Sequence, residues 1–188
     1  MRLRARFSIP AVLARLDDDK AIALVAAVNG GAAILMLAAL AWLVDLPLLF
    51  PALGPSAFIL FTSPFSRAAE PRSVVLSHFA GISVGLAACV LVGWMAGRPV
   101  SLQVGGWTVI ASASIAMAAI GTLLVRLDTP HPPACASALI VAVGAADGWM
   151  PILAMALGVL LLVGQAVAIH RLAGIRTPIW SRNSPARS

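Results

Sequence analysis

The densest group of residues able to do chemistry is Arg126-Leu127-Asp128-Thr129-Pro130-His131-Pro132-Pro133, with Cys135 and Ser137 close behind. Proline suits the first turn of a helix, where it has no N–H to lose and its fixed φ is already helical. A helix led by Pro132 or Pro133 is expected to present unpaired N–H groups and a partial positive charge at its start, a combination that attracts an anion. His131 beside such a start can donate a hydrogen bond to an anion or carry a proton with it. A second segment, Pro51-Ala52-Leu53-Gly54-Pro55-Ser56, has a similar make-up. There Gly54 is expected to allow close backbone approach, and Ser56, like Ser137, supplies a hydroxyl. The candidate anion-binding set is therefore His131, Pro132, Pro133, Ser137, Gly54, Pro55, Ser56 and His78, with Arg72 and Arg126 as cations at segment ends. Each has a plainer reading. Prolines shape turns, serines bond back to their own helices, histidines sit satisfied in a core, and arginines anchor topology.

These residues must be held by membrane-embedded helices. Of 188 residues 61% are hydrophobic and only 11% charged, and the charges fall in short clusters between long uncharged stretches. A soluble domain usually carries roughly 25% charged residues. Four uncharged stretches, Ala21–Val44, Ser73–Gly97, Gly105–Val125 and Trp149–Ile169, are each long enough to cross a bilayer as a helix of ~30 Å or more. Two shorter apolar stretches open with proline, Pro51–Ser63 and Pro132–Ala146. The fold expected is thus all-α and integral to the membrane, with four long helices and two short proline-led segments. The first long stretch lacks a small-residue cleavage pattern and is expected to remain in the mature protein.

Aligning Pro51 with Pro132 sets Ser56-Ala57 on Ser137-Ala138, and the same offset of 81 residues brings the flanking long stretches into register. The chain then reads as two copies of one unit, about 21–97 and 105–171, between a basic segment 1–20 and a tail 172–188. Basic residues distinguish two topologies. If the short segments return to the side they entered from, ten Lys and Arg lie on the side of the termini and three opposite; if they cross, the division is twelve against one, with Arg98 alone outside. Charge therefore favours six crossings with both termini cytoplasmic, and three crossings per copy make the repeat an inverted one. The starts of the two short helices would then face each other near the bilayer midplane.

Other residues read as architecture. Asn29, Ser112, Ser114, Thr122 and Gln165 are expected to face helices rather than lipid. Asn29-Gly30-Gly31 and Gly81-x-x-x-Gly85 are small-residue patches, expected as contacts of a homo-oligomer. Trp42, Trp94, Trp107, Trp149 and Trp180 fall near span ends as interfacial anchors, and His170 beside Arg171 reads as an interfacial cap. A turn is able to pair Arg126 with Asp128. Cys89 and Cys135 have neither metal-ligand spacing nor a partner pattern. There is no HExxH, Walker A or GxSxG motif. An enzyme is not expected, nor a cofactor, nor nucleic acid as a partner.

The run His131-Pro132-Pro133-Ala134 with Ser137-Ala138-Leu139, together with Pro51-x-Leu53-Gly54-Pro55-Ser56-Ala57, Pro71-Arg72-Ser73-Val74 and His78, resembles the HPP family of integral membrane proteins. The resemblance spans roughly Leu46 to Val143 and, more loosely, Ala21 to Arg171. It implies a small polytopic protein of four transmembrane helices and a transport role, with some members implicated in nitrite transport. This chain has Cys135 where the family motif continues with glycine. The function expected is a transporter or channel for a small anion in the bacterial inner membrane, and the alternative is a non-transporting scaffold or sensor domain.

Overall fold

A computed structural model describes residues 18–146 and 148–180. Its elements are all helical: α1 (Asp18–Val44), α2 (Leu53–Thr62), a 3-10 turn (Arg67–Ala69), α3 (Pro71–Ala96), α4 (Trp107–Arg126), α5 (Pro133–Ala142) and α6 (Trp149–Leu172). The four long helices are the apolar stretches expected to span, with mean hydropathies of 2.1 to 2.5. The two proline-led segments form α2 and α5, each 10 residues and so about 15 Å long, half a bilayer core.

Boundaries follow local chemistry. Pro71 and Pro133 occupy the first turns of α3 and α5, where a missing N–H costs nothing. Gly97 closes α3 with φ of 64°, a left-handed conformation that glycine adopts without a Cβ clash.

Contacts between connections give the helices their relative directions. Arg67, after α2, pairs with Asp128, after α4. The Arg72 backbone N–H, at the start of α3, donates to the Trp180 carbonyl beyond α6. These connections share one face of the molecule. At the opposite face, a Cβ on Gly144, after α5, would collide with the carbonyl of Val100, between α3 and α4. Consecutive helices from α2 to α6 therefore alternate in direction, and α2 and α5 run opposite ways. The connection from α1 to α2 dips inward, and its Leu48 carbonyl lies against Gly158, ten residues into α6.

The hub is α3. It packs against α4, α5 and α6, and its Gly81 and Gly85 let the α5 backbone lie directly on it. A Cβ on Gly81 would stand 2.5 Å from the Ala134 carbonyl, and one on Gly85 would meet that of Ala138. This corrects the expectation of an intermolecular patch at Gly81 and Gly85, because α5 of the same chain fills it. By contrast α1 is peripheral, with far less of its length buried than α3 or α6. Gly31 on α1 is exposed, with no protein atom near its Cβ position.

The polar span residues divide. Ser112 is buried and donates to the Ala142 carbonyl at 2.7 Å. Ser114 and Thr122, expected against helices, are exposed on α4. Thr122 is satisfied there by the Ala118 carbonyl of its own helix, which removes the need for a partner helix. All five tryptophans are exposed, and Trp42, Trp94, Trp107 and Trp149 lie toward the face opposite the Arg67–Asp128 pair.

Candidate functional site

Four of the candidate side chains meet at one point. His78, on the second turn of α3, is flanked by the two short helices: its Nε2 lies 2.9 Å from Ser56 Oγ in the first turn of α2, and its Nδ1 lies 2.7 Å from Ser137 Oγ near the start of α5. Ser56 and Ser137, the pair matched by the 81-residue offset, thus bind opposite nitrogens of one ring. Ser56 Oγ also lies 3.0 Å from His131 Nε2 and donates to the Ala52 carbonyl at 2.9 Å. His131 Nδ1 reaches the Ala68 carbonyl at 2.7 Å. The two imidazoles are 5.1 Å apart between centroids, and the Phe50 ring stands nearly perpendicular to that of His78 at 6.4 Å. Ser56, His78, His131 and Ser137 have no exposed surface.

The sequence leads to this cluster through local geometry. His131 is held just ahead of α5 because the Thr129 carbonyl accepts from Ser77 Oγ at 2.9 Å, tying the α4–α5 connection to α3 one residue before His78. The α4–α5 connection turns sharply at Asp128, a non-glycine residue at φ of 52°. Its carboxylate is paired with Arg67 across the two connections and not with Arg126 as the sequence suggested. The hydrogen bond and the charge of Asp128 hold the exposed Arg67 guanidinium above its ordinary pKa.

The helix starts differ from expectation in one important respect. In α2 the N–H of Leu53 donates to the Phe50 carbonyl, that of Gly54 to Pro51 and that of Ser56 to Ala52, while Pro55 has none. In α5 Pro132 and Pro133 have none, and the N–H groups of Ala134 and Cys135 donate to the carbonyls of His131 and Pro132. Tight i→i−3 turns ahead of each helix have used the donors that an anion was expected to find. What remains at the starts is the positive end of each helix dipole and the two serine hydroxyls.

The remaining candidates lie outside the cluster. Gly54 and Pro55 are exposed on α2, and a Cβ on Gly54 would meet no protein atom within 4 Å, so the expected close backbone approach is absent. Pro132 is exposed and Pro133 buried in the first turn of α5. Arg72 is half-buried with its guanidinium toward the Leu127 carbonyl, and Arg126 is exposed at the end of α4. His170, in the last turn of α6, is buried, with its ring steeply inclined to that of Phe61 at 5.5 Å between centroids.

A recess of about 530 Å³ opens beside the cluster, lined by Arg67, Asp128, Thr129, His131 and Cys135 among others. Thr129 Oγ1 is buried there with no hydrogen-bond partner among the described residues. The candidate set left out Thr129, although it stands in the densest polar run, and sequence reasoning missed Ser77 and the roles of the Ala52 and Ala68 carbonyls. Thr129 carried a signal as a member of that run, and so did Ser77, adjacent to His78, since two adjacent polar residues inside an apolar helix cannot both face lipid. No group of three or more His, Cys, Asp and Glu placed to hold a metal occurs among the described residues.

A family model described as HPP, transmembrane region, matches residues 17–178. Comparison with curated proteins and with solved structures gives no match.

Proposed function

Starting from the fact that the chain belongs to the HPP family of transmembrane proteins, a membrane protein of transporter type, we propose that it moves a small anion, nitrite being the probe to try first. One observation carries this reading: the starts of two oppositely directed short helices converge on His78 through Ser56 and Ser137. Two positive dipole ends and two imidazoles gathered in a buried volume favour negative charge there. The unpartnered Thr129 Oγ1 in the recess is a donor for an incoming solute. Because the four side chains are bonded to one another and fully covered, a solute gains entry only by parting those bonds, which describes an occluded state of a transport cycle. The role is transport and not catalysis.

In this reading the two copies form an inverted repeat, and the face bearing Arg67, Arg72, Arg126 and Arg171 is cytoplasmic, with the termini, in a bacterial inner membrane. The weakly covered α1, with exposed Gly31, is the contact of a homo-oligomer, which native mass measurement in detergent checks. Purified protein in liposomes, tested against a panel of small anions, is expected to give saturable flux above protein-free vesicles. The scaffold reading is favoured by a specific observation too: each side chain of the Ser–His cluster bonds to another member of the cluster or to a backbone carbonyl. It predicts no saturable flux for any solute, and that result would overturn transport.

A further inference from the structure

The Ser56 hydroxyl has one proton and two acceptors within reach, the Ala52 carbonyl and His131 Nε2, and its choice between them orders the other protons. The Ala68 carbonyl has no proton to give, so His131 Nδ1 carries one and donates it. A neutral His131 then has a bare Nε2, which accepts when the Ser56 hydroxyl turns to it from the Ala52 carbonyl. Ser56 has only that one proton, so His78 Nε2 carries a proton and donates to Ser56 Oγ. His78 Nδ1 is then bare and accepts from Ser137. The chain has one polarity throughout: Ser137 to His78 to Ser56 to His131 to the Ala68 carbonyl.

A second arrangement satisfies the same heavy atoms with one more proton. If His131 Nε2 is protonated, it donates to Ser56 Oγ, and the Ser56 hydroxyl turns to the Ala52 carbonyl, already 2.9 Å away. Ser56 Oγ then accepts from both histidines and donates once, its full capacity. The added proton comes from solvent, no other bond to hydrogen is broken, and the site gains one positive charge.

We propose that Ser56 is a two-position switch through which the His78–His131 pair takes up one proton together with the transported anion. This rests on the transport reading above. A lone positive charge buried between two positive helix ends is costly, whereas a proton and an anion arriving together leave the site neutral. Among the described residues no charged side chain bonds to either histidine of the pair. Asp128 is committed to Arg67 in the recess, and Cys135 lines the same recess from α5. Glu70 and Arg72 stand at the start of α3, and on α6 His170 packs against Phe61 of α2.

The switch is read first without transport. Nitrogen-15 NMR of histidine-labelled protein in lipid at alkaline pH, with a His170→Gln variant to assign signals, is expected to show the Nδ1–H tautomer at His131 and the Nε2–H tautomer at His78. The opposite tautomer at either ring overturns the proposal. In liposomes with the membrane potential clamped, an inward proton gradient is then expected to drive nitrite uptake with one proton per anion. Ser56→Ala is expected to lower that gradient-driven component roughly tenfold or more, and Ser56→Thr to retain it. Anion flux that carries no proton, or a folded Ser56→Ala variant with intact coupling, overturns the switch and leaves transport standing. Absence of flux for every anion in the wild type instead overturns the transport reading, and with it the coupling.

Discussion

The two short helices reach the same histidine but are held in different ways. α5 lies with its backbone directly on α3, where Gly81 and Gly85 receive the carbonyls of Ala134 and Ala138. α2 is held by side chains, Leu53, Leu60 and Phe61, in a core shared with α1 and α6. Backbone on backbone has no slack, since there is no rotamer to yield, while a side-chain interface repacks at modest cost. The difference assigns α3 and α5 to one rigid body and makes α2, with Ser56, the element able to shift when the Ser–His bonds part.

The largest expected effect strikes the rigid half. Gly85→Val is expected to abolish folded protein, read by size-exclusion of a fluorescent fusion, because its Cβ would collide with the Ala138 carbonyl. Gly54→Ala, with open space around it, should change stability by no more than about 0.5 kcal/mol. Equal tolerance at the two sites would break the comparison. On the side-chain half, Leu53→Ala should fold but lose about 2 kcal/mol of thermal stability in detergent, the low end for a buried leucine because lipid lessens the transfer contribution. A loss as complete as that of Gly85→Val would show α2 to be as rigid as α5.

His131→Ala and His78→Ala each remove a partner of the Ser56 hydroxyl, and anion flux at equal amounts of folded protein should fall about tenfold, equivalent to about 1.4 kcal/mol. His170→Ala should leave flux intact while lowering stability through lost contact with Phe61. If His170→Ala matches the other two, the cluster has no special role. The smallest effect belongs to Asp128→Asn. The pair with Arg67 is exposed, so its loss should cost under about 1 kcal/mol and the cost should vanish in high salt.

Much of this architecture is legible in the chain because hydropathy and proline placement act locally. The six segments fall within a few residues of their expected ends, and the offset that aligns Ser56 with Ser137 picked out the two hydroxyls that share His78. The family's four-helix description and the six segments agree once α2 and α5 are counted as short helices of 10 residues rather than long spans. What stayed hidden is long-range or depends on turn geometry. Nothing near Arg67 in sequence announces Asp128, 61 residues on. The N–H groups of the helix starts were expected to be unpaired because capping by a preceding carbonyl depends on φ and ψ, not on residue type. The pattern at Gly81 and Gly85 states that a helix approaches closely but not whether it belongs to the same chain.

The tryptophans have a consequence for how the protein meets lipids of different kinds. Trp42, Trp94, Trp107 and Trp149 stand exposed toward one face, with Trp180 alone toward the other. Indoles seek the headgroup level, so the four-tryptophan rim is pinned at its leaflet. When hydrocarbon thickness changes, the mismatch must be absorbed at the opposite rim, where the recess beside His131 opens. A thicker bilayer draws acyl chains up over that opening, and a thinner one lays it bare. Bilayer composition thereby becomes a lever on access to the histidines, applied from outside the protein.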